Sequence, residues 1–115
     1  YSYRAGKAMD AARKGSAVVY MIGQPIAGSA SYSSHMHHQN ALVAKEAAKR
    51  PDVRFISSWR RFSNADGEYS TYLRDRYGDW VCMRNPDRIH LTDAGGRHMA
   101  YLVRPRLEVD WKSLH

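Results

Sequence analysis

Asp87 and His90 are the two residues whose types and spacing best suit catalysis. A carboxylate three residues before an imidazole can turn back to the same side of a tight loop. It can then accept a hydrogen bond from one ring nitrogen and leave the other nitrogen free as a base. The pair would supply two members of a serine–histidine–aspartate triad, and no convincing nucleophile motif precedes it. The alternative is a loop aspartate and histidine that only cap local backbone groups.

Two helix–strand units precede this pair. Good helix formers predict a helix over residues 4–14, and the unbroken apolar run 17–22 predicts a buried parallel strand. Residues 23–34 are rich in glycine and serine, which predicts a loop at the carboxyl end of that strand. An alanine-rich helix over residues 39–50 and a second strand over residues 53–59 follow.

The C-terminal third contains a predicted hairpin and a last helix. A turn at Gly78 would join an upstream segment to a short return strand over residues 80–83. Thr92 is a suitable N-cap for a helix that extends to about Leu102, and Pro105 is expected to end that helix.

This order of elements predicts an α/β fold, with three layers and a mostly parallel sheet. Residues 1–115 form a single domain or domain fragment, in which residues 107–115 are a tail that packs through Trp111. Only two firm strands are evident, which is few for a sheet of this kind. We therefore expect further strands to come from elsewhere in a longer protein.

Four segments occur in an order that is informative: residues 18–25, 40–43, 53–59 and 87–100. The last reads Asp-x-x-His-x-Thr-x-x-Gly, from Asp87 to Gly95. This order resembles the C-terminal half of the SGNH/GDSL hydrolase superfamily, particularly its bacterial branch related to cell-envelope enzymes. The resemblance implies a flavodoxin-like three-layer fold, with His90 as the general base and Asp87 as the acid that orients it. It also implies an extracytoplasmic or periplasmic location.

Two sequence blocks of that superfamily are absent. One is the Gly-Asp-Ser-like turn with the nucleophile, and the other is the Gly-x-Asn-Asp block that contributes to the oxyanion hole. No residue here is assigned those roles, so we expect a missing N-terminal half or an oligomer partner to provide them. The resemblance implies a serine esterase acting on acyl esters, such as O-acetyl esters of an envelope polysaccharide. The alternatives are an O-acyltransferase of the same fold and a non-catalytic module that binds a glycan or an anion.

Further residues are predicted to border the active cleft. Gly23, Gln24 and Pro25 match a segment that lines the cleft in relatives, although an ordinary turn at the end of a strand explains them equally well. His35 would lie in the loop that leaves the first strand, where α/β sheets place their ligands. It would border the cleft without taking part in the chemistry.

Three histidines suggest a competing metal-site hypothesis. His35, His37 and His38 could hold zinc or copper, but no carboxylate or cysteine lies nearby in the sequence to complete the site. We therefore expect no metal or other cofactor. Nearby serines such as Ser31 and Ser34 do not sit in a nucleophile elbow, so we expect them only to solubilise the loop.

The composition limits the remaining functional classes. The formal net charge is +7, from 18 Lys and Arg against 11 Asp and Glu, which favours acidic partners. The basic residues are dispersed, apart from a small cluster at residues 59–62, and no nucleic-acid-binding motif accompanies them, so we expect no nucleic acid. Cys82 is the single cysteine, which excludes an internal disulfide. No apolar run approaches the roughly 20 residues that span a bilayer.

Overall fold

The computed structural model describes residues 1–15 and 18–114, and in these residues helices alternate with short strands. The α-helices are α1 (Ser2–Arg13), α2 (Ala30–Ala48) and α3 (Asp93–Leu114). The strands are β1 (Val19–Ile22), β2 (Val53–Ile56), β3 (Tyr72–Arg74) and β4 (Trp80–Cys82), and a turn of 3-10 helix spans Arg60–Phe62. The predicted α/β class is confirmed. Within the described residues, no helix has both the length and the apolar character needed to cross a bilayer.

Strands β1 and β2 form a parallel pair with helices on both faces. Their register places Val19 beside Val53. Both valines belong to a core with residues of α1 and α2. Side chains alternate across a strand, so Tyr20 and Arg54 face the other way. There the Tyr20 hydroxyl donates a hydrogen bond to Asp110 of α3, and Arg54 Nε lies 3.8 Å from the same carboxylate. The result is three layers, with the parallel pair in the middle.

The layer of α1 and α2 is held together by apolar packing and by one arginine. The core on this side consists of Met9, Val19, Val43, Ala47 and Val53. Arg50, just beyond α2, reaches back to both helices. Its Nε donates to Asp10 Oδ1 of α1 at 2.7 Å, and its Nη1 donates to the carbonyl of Glu46 at 2.9 Å. The guanidinium thereby fixes α1 against the end of α2.

A second core lies under the hairpin formed by β3 and β4. The two strands are antiparallel, with Leu73 opposite Val81. Gly78 in the turn has φ +87°, a conformation that glycine adopts readily. The predicted hairpin is confirmed. Leu73 packs with Phe62 and Met83 in this core, and Leu91, Ala94 and Met99 cover it from the side of α3.

The predicted loop after the first strand is wrong in its second half, because α2 begins at Ala30 rather than near residue 39. Ser29 caps the helix, with its side chain accepting a hydrogen bond from Tyr32 N at 3.3 Å. The buried Ser33 hydroxyl donates to the carbonyl of Ala27 at 2.8 Å and accepts from its amide at 2.9 Å. Ser29 therefore caps the helix and Ser33 ties its first turn to the preceding segment, so this serine-rich stretch begins a helix.

The prediction that Pro105 ends the last helix is also wrong. Pro105 lies inside α3, which extends to Leu114 and so includes most of the predicted tail. Asp110 contacts the sheet as described above, whereas Trp111 is 63% exposed. The hydrogen bond between Tyr20 and Asp110 partly offsets the loss of the backbone hydrogen bond that proline cannot donate. The second strand is shorter than predicted, ending at Ile56, and Ala17 of the first predicted strand lies outside the described residues.

Candidate active site

The structure brings Asp87 and His90 into direct contact. Nδ1 of His90 lies 2.5 Å from Oδ2 of Asp87. The other carboxylate oxygen, Oδ1, accepts hydrogen bonds from the backbone amides of Ile89 at 2.9 Å and His90 at 3.0 Å. The carboxylate therefore turns back over its own loop and reaches one nitrogen of the imidazole ring, as its position three residues upstream predicts.

The charge state of Asp87 determines which ring nitrogen of His90 is free. The hydrogen bond from the His90 side chain, helped by the Ile89 and His90 amides, lowers the pKa of Asp87 from 3.8 to about 2. An ionised carboxylate can only accept, so Nδ1 of His90 carries the shared hydrogen. Nε2 has no hydrogen-bond partner among residues 1–15 and 18–114. The imidazole side chain is 75% exposed, so Nε2 is accessible to an incoming group.

Backbone hydrogen bonds close the loop that carries the pair. Asn85 N donates to the carbonyl of His90 at 2.8 Å, and Arg88 N donates to the carbonyl of Asn85 at 2.8 Å. Arg88 has φ +63°, an unusual conformation for a residue other than glycine. A left-handed residue held in a short closed loop often marks a functional site.

Thr92 fixes the point where this loop becomes α3. Its hydroxyl donates to the carbonyl of Cys82 at 2.8 Å and accepts from Gly95 N at 3.0 Å. Its own amide donates to the carbonyl of Met83 at 3.1 Å. The predicted N-cap is confirmed, and it also attaches the start of α3 to the end of β4.

The Asp87–His90 loop docks on the segment that follows β1. Gly28 N donates to the carbonyl of Arg88 at 2.9 Å. A Cβ atom on Gly28 would lie 2.5 Å from the Cβ of Arg88, so only glycine permits this approach. The buried Arg84 side chain donates from Nη2 to the carbonyl of Ile26 and from Nη1 to the carbonyl of Ile89 at 3.3 Å. These contacts hold Asp87 and His90 beside the carboxyl end of the parallel sheet.

The first three predicted cleft residues lie directly after β1. Gly23 is buried, and a Cβ there would come within 2.7 Å of the ring of Phe55. Gln24 is exposed, but its backbone is clasped by Asn40 of α2, which accepts from the amide at 2.9 Å and donates to the carbonyl at 2.8 Å. Pro25 is half-buried. Asn40 therefore sets the path of this segment.

The fourth predicted cleft residue, His35, is on α2, so its predicted loop setting is wrong. Its Nε2 lies 3.1 Å from Nε2 of Gln39. His37 packs edge-on against the ring of Trp59 at 5.1 Å between centroids, and His38 is exposed. In the part of the chain that the structure describes, no three histidine, cysteine or acidic side chains cluster closely enough to hold a metal ion. The described structure therefore does not bring His35, His37 and His38 together as a three-ligand cluster.

Two of the residues that shape the site carried no sequence signal. Arg84 follows the apolar residues of β4, a position typical of an exposed strand end, yet it is 1% exposed. It lies over the rings of Phe62 and Tyr69 at 5.2 and 5.3 Å. Arg88 has no glycine-like or asparagine-like character that would indicate a positive φ. Only the tertiary structure shows that both arginines support the loop.

A family described as "Protein of unknown function (DUF459)" matches residues 1–106. The match spans both cores, the Asp87–His90 loop and most of α3. No curated protein matches this chain.

Proposed function

We propose that this chain, which belongs to the DUF459 family, contributes the acid–base pair of an SGNH-type serine esterase. The observation that carries the proposal is the contact between His90 Nδ1 and Asp87 Oδ2. It leaves Nε2 exposed and without a hydrogen-bond partner among the described residues. In such an enzyme Nε2 takes the proton of the serine hydroxyl as the serine attacks the ester carbonyl. Asp87 holds the tautomer and stabilises the imidazolium that forms. His90 then returns the proton to the leaving alcohol.

The nucleophile in this proposal is a serine outside these 115 residues. Among the described residues, no serine hydroxyl is hydrogen-bonded to His90. Ser31 is on α2, and its hydroxyl oxygen is hydrogen-bonded to that of Ser29 at 3.2 Å. Ser33 is buried and donates to the carbonyl of Ala27. The docking of the Asp87–His90 loop beside the end of β1 leaves the imidazole open to a further segment. The proposed substrates are acyl esters, including O-acetyl esters of an envelope polysaccharide.

Labelling with a serine-directed fluorophosphonate tests this assignment in the complete gene product. We expect one serine outside the 115 residues to react, and hydrolysis of a simple acetyl ester to accompany the reaction. Replacing His90 by Ala should lower both rates by about 10²- to 10⁴-fold, the usual contribution of a general base. His38→Ala is the matched control, because His38 is also an exposed histidine but lies on α2, and it should leave both rates unchanged.

Two outcomes would contradict the proposal. One is an esterase rate that His90→Ala leaves unaltered, which would remove the imidazole from the chemistry. The other is label on Ser31 or Ser34, which would place the nucleophile inside this chain. An O-acyltransferase would form the same acyl-enzyme but pass the acyl group to a sugar hydroxyl. Measuring acylated polysaccharide against free acid, with an added polysaccharide acceptor, separates the two reactions.

A further inference from the structure

An open groove lined by arginines lies between the 3-10 turn, the hairpin and α3. It encloses about 590 Å³. We call it the arginine groove and define it by Ser57, Arg60, Arg61, Asn64, Arg74 and Trp80. It shares no residue with the Asp87–His90 loop, so it is a separate feature of the surface.

The positive charge of this groove is not neutralised by the protein. Other arginines are paired with aspartates: Arg13 with one in the turn before β2, Arg50 with one of α1, and Arg54 with one of α3. By contrast, Arg60, Arg61 and Arg74 form no ion pair with any carboxylate among the described residues. The charges of these three arginines are therefore available to a ligand at this groove.

Arg61 is fixed in place by a reciprocal contact with His98 of α3. Its Nε donates to the carbonyl of His98 at 3.3 Å, and Nε2 of the His98 ring donates to the carbonyl of Arg61 at 3.0 Å. Burial lowers the pKa of His98, which favours the neutral ring next to this arginine. The terminal nitrogens of Arg61 make no other hydrogen bond with the described residues and remain for a ligand.

Arg74 is also ordered before any ligand binds. Its Nη1 donates to the carbonyl of Gly78 at 2.8 Å, and its guanidinium lies 4.4 Å from the ring centroid of Trp80. The indole of Trp80 is 62% exposed. Side chains that are already held in position lose less conformational entropy on binding, so two of the three arginines are preorganised.

A second groove continues the basic surface beyond Arg61. It encloses about 420 Å³, shares Arg61 with the first, and adds Arg76. Arg104 also lines it but is paired with Glu108 at 3.0 Å, so Arg76 is the added charge that carries no ion pair with the described residues. Arg76 lies over the ring of Tyr101 at 4.3 Å, so arginine and aromatic side chains again stack together. Charges spaced along two joined grooves match a chain with repeated anionic groups better than they match a single small anion.

We propose that the arginine groove binds an acidic polysaccharide through its carboxylate groups. The planar fork of a guanidinium matches a carboxylate in two-point hydrogen bonding, and the groove contains arginine but no lysine. Ser57 and Asn64 offer polar groups to sugar hydroxyls. Nucleic acid fits less well, because successive bases need open aromatic faces. Here arginines already cover faces of Trp80 and Tyr101.

The test is the affinity of the full chain for polygalacturonate, measured by titration calorimetry and by quenching of tryptophan fluorescence. The matched ligand is the same polymer with its carboxylates methyl-esterified, which keeps the backbone and removes the charge. We expect it to bind at least tenfold more weakly. The affinity for polygalacturonate should also fall as salt is added, because exposed charges are screened.

Variants locate the binding on the protein. Arg60→Gln combined with Arg74→Gln should weaken binding at least about tenfold, since two charge-assisted hydrogen bonds are lost. Neither residue belongs to a core, and circular dichroism with a thermal midpoint would verify that the double variant is folded. Arg106→Gln is the matched control, because Arg106 is exposed on α3 outside both grooves, and binding should not change.

Several results would overturn the proposal. They are no binding of polygalacturonate, equal affinity for its methyl ester, unchanged affinity in the double variant, and tighter binding of oligothymidine than of the polysaccharide. None of these measurements involves ester hydrolysis. The polysaccharide-binding proposal can therefore be wrong while the esterase proposal is right, and the esterase proposal can be wrong while the binding proposal is right.

Discussion

The guanidinium of Arg84 donates a hydrogen bond to the carbonyl oxygen of Ile26, joining the end of β4 to the segment that follows β1. A second hydrogen bond from the same group reaches the carbonyl of Ile89, inside the Asp87–His90 loop, at 3.3 Å. One buried cation thus fixes the spacing between the loop and the parallel sheet. Burial lowers the pKa of Arg84, and the neutral carbonyls that receive its hydrogen bonds partly offset the cost of desolvation.

Replacing Arg84 by Ala should destabilise the protein strongly. The change leaves the carbonyls of Ile26 and Ile89 without this donor and opens a cavity beneath Phe62 and Tyr69. Each buried group left unsatisfied costs about 1–3 kcal/mol, so we expect the free energy of unfolding to fall by about 3 kcal/mol or more. Urea denaturation followed by circular dichroism measures the change.

The control for this experiment is Arg106→Ala, which removes an exposed arginine from α3. Its effect should stay within about 0.5 kcal/mol, as for most surface substitutions. Arg84→Lys should fall between the two, because an ammonium keeps the charge but cannot reach both carbonyls with the same planar geometry. If Arg84→Ala behaves like Arg106→Ala, the guanidinium does not hold the loop.

The contact between Asp87 and His90 predicts a titration that can be measured directly. The hydrogen bond from His90 is the largest cause of the low pKa of Asp87, so His90→Ala should raise that pKa from about 2 toward 3.8. The rise should be incomplete, because the backbone amides of residues 89 and 90 remain. Carbon-13 NMR of the aspartate carboxyl groups gives the midpoint. His38→Ala should not move it, and an unchanged midpoint in His90→Ala would show that the two side chains are apart in solution.

The sequence predicted the parts of this site that depend on neighbours along the chain. Asp87 and His90 are three residues apart, and the capping hydroxyl of Thr92 acts within one turn of helix, so local geometry determines both. The first parallel strand was predicted for a similar reason: the apolar run of residues 17–22 is short and bounded by polar or glycine residues, which suits a buried strand. The position of such elements follows from residue type and spacing.

The features that sequence reasoning missed depend on contacts between distant segments. Arg84 is buried because its partner carbonyl belongs to Ile26, 58 residues away in the chain. The part of the helix beyond Pro105 is tied to the sheet by the hydrogen bond that Tyr20 of β1 donates to Asp110. The early start of α2 depends on Ser29, which caps the helix, and on Ser33, which is hydrogen-bonded to Ala27, so these two serines do not lie in the predicted loop.

Acid should weaken the layer formed by α1 and α2. Hydrogen bonds from Arg50 and Lys49 lower the pKa values of Asp10 and Glu46 from 3.8 and 4.5, respectively. A carboxylate with a lowered folded pKa stabilises the folded state above its unfolded pKa. That contribution is lost as the pH falls through the folded value. The free energy of unfolding should therefore decline below about pH 4.5, as urea titrations at successive pH values would show.

Asp10→Asn tests the origin of that decline. The variant should be less stable than the parent at pH 7, because the ion pair with Arg50 is lost. It should also lose less of its stability on acidification, because asparagine does not take up the proton that Asp10 takes up. Asp66→Asn provides the comparison, since the Asp66 carboxylate forms no ion pair with the described residues. A pH profile that Asp10→Asn leaves unchanged would place the acid sensitivity elsewhere in the molecule.

Two adjacent glycines at the start of α3 should respond oppositely to the same substitution. A Cβ on Gly95 would lie 2.2 Å from the backbone oxygen of Met83, so alanine there must push α3 away from β4 at a cost of about 1–3 kcal/mol. A Cβ on Gly96 would meet nothing within 4 Å, and alanine in a helix gains about 0.5–1 kcal/mol over glycine. Urea denaturation of both variants should therefore give shifts of opposite sign. Equal shifts would mean that the first turn of α3 does not lie against the end of β4. The two elements that flank the Asp87–His90 loop would then not hold it in the described position.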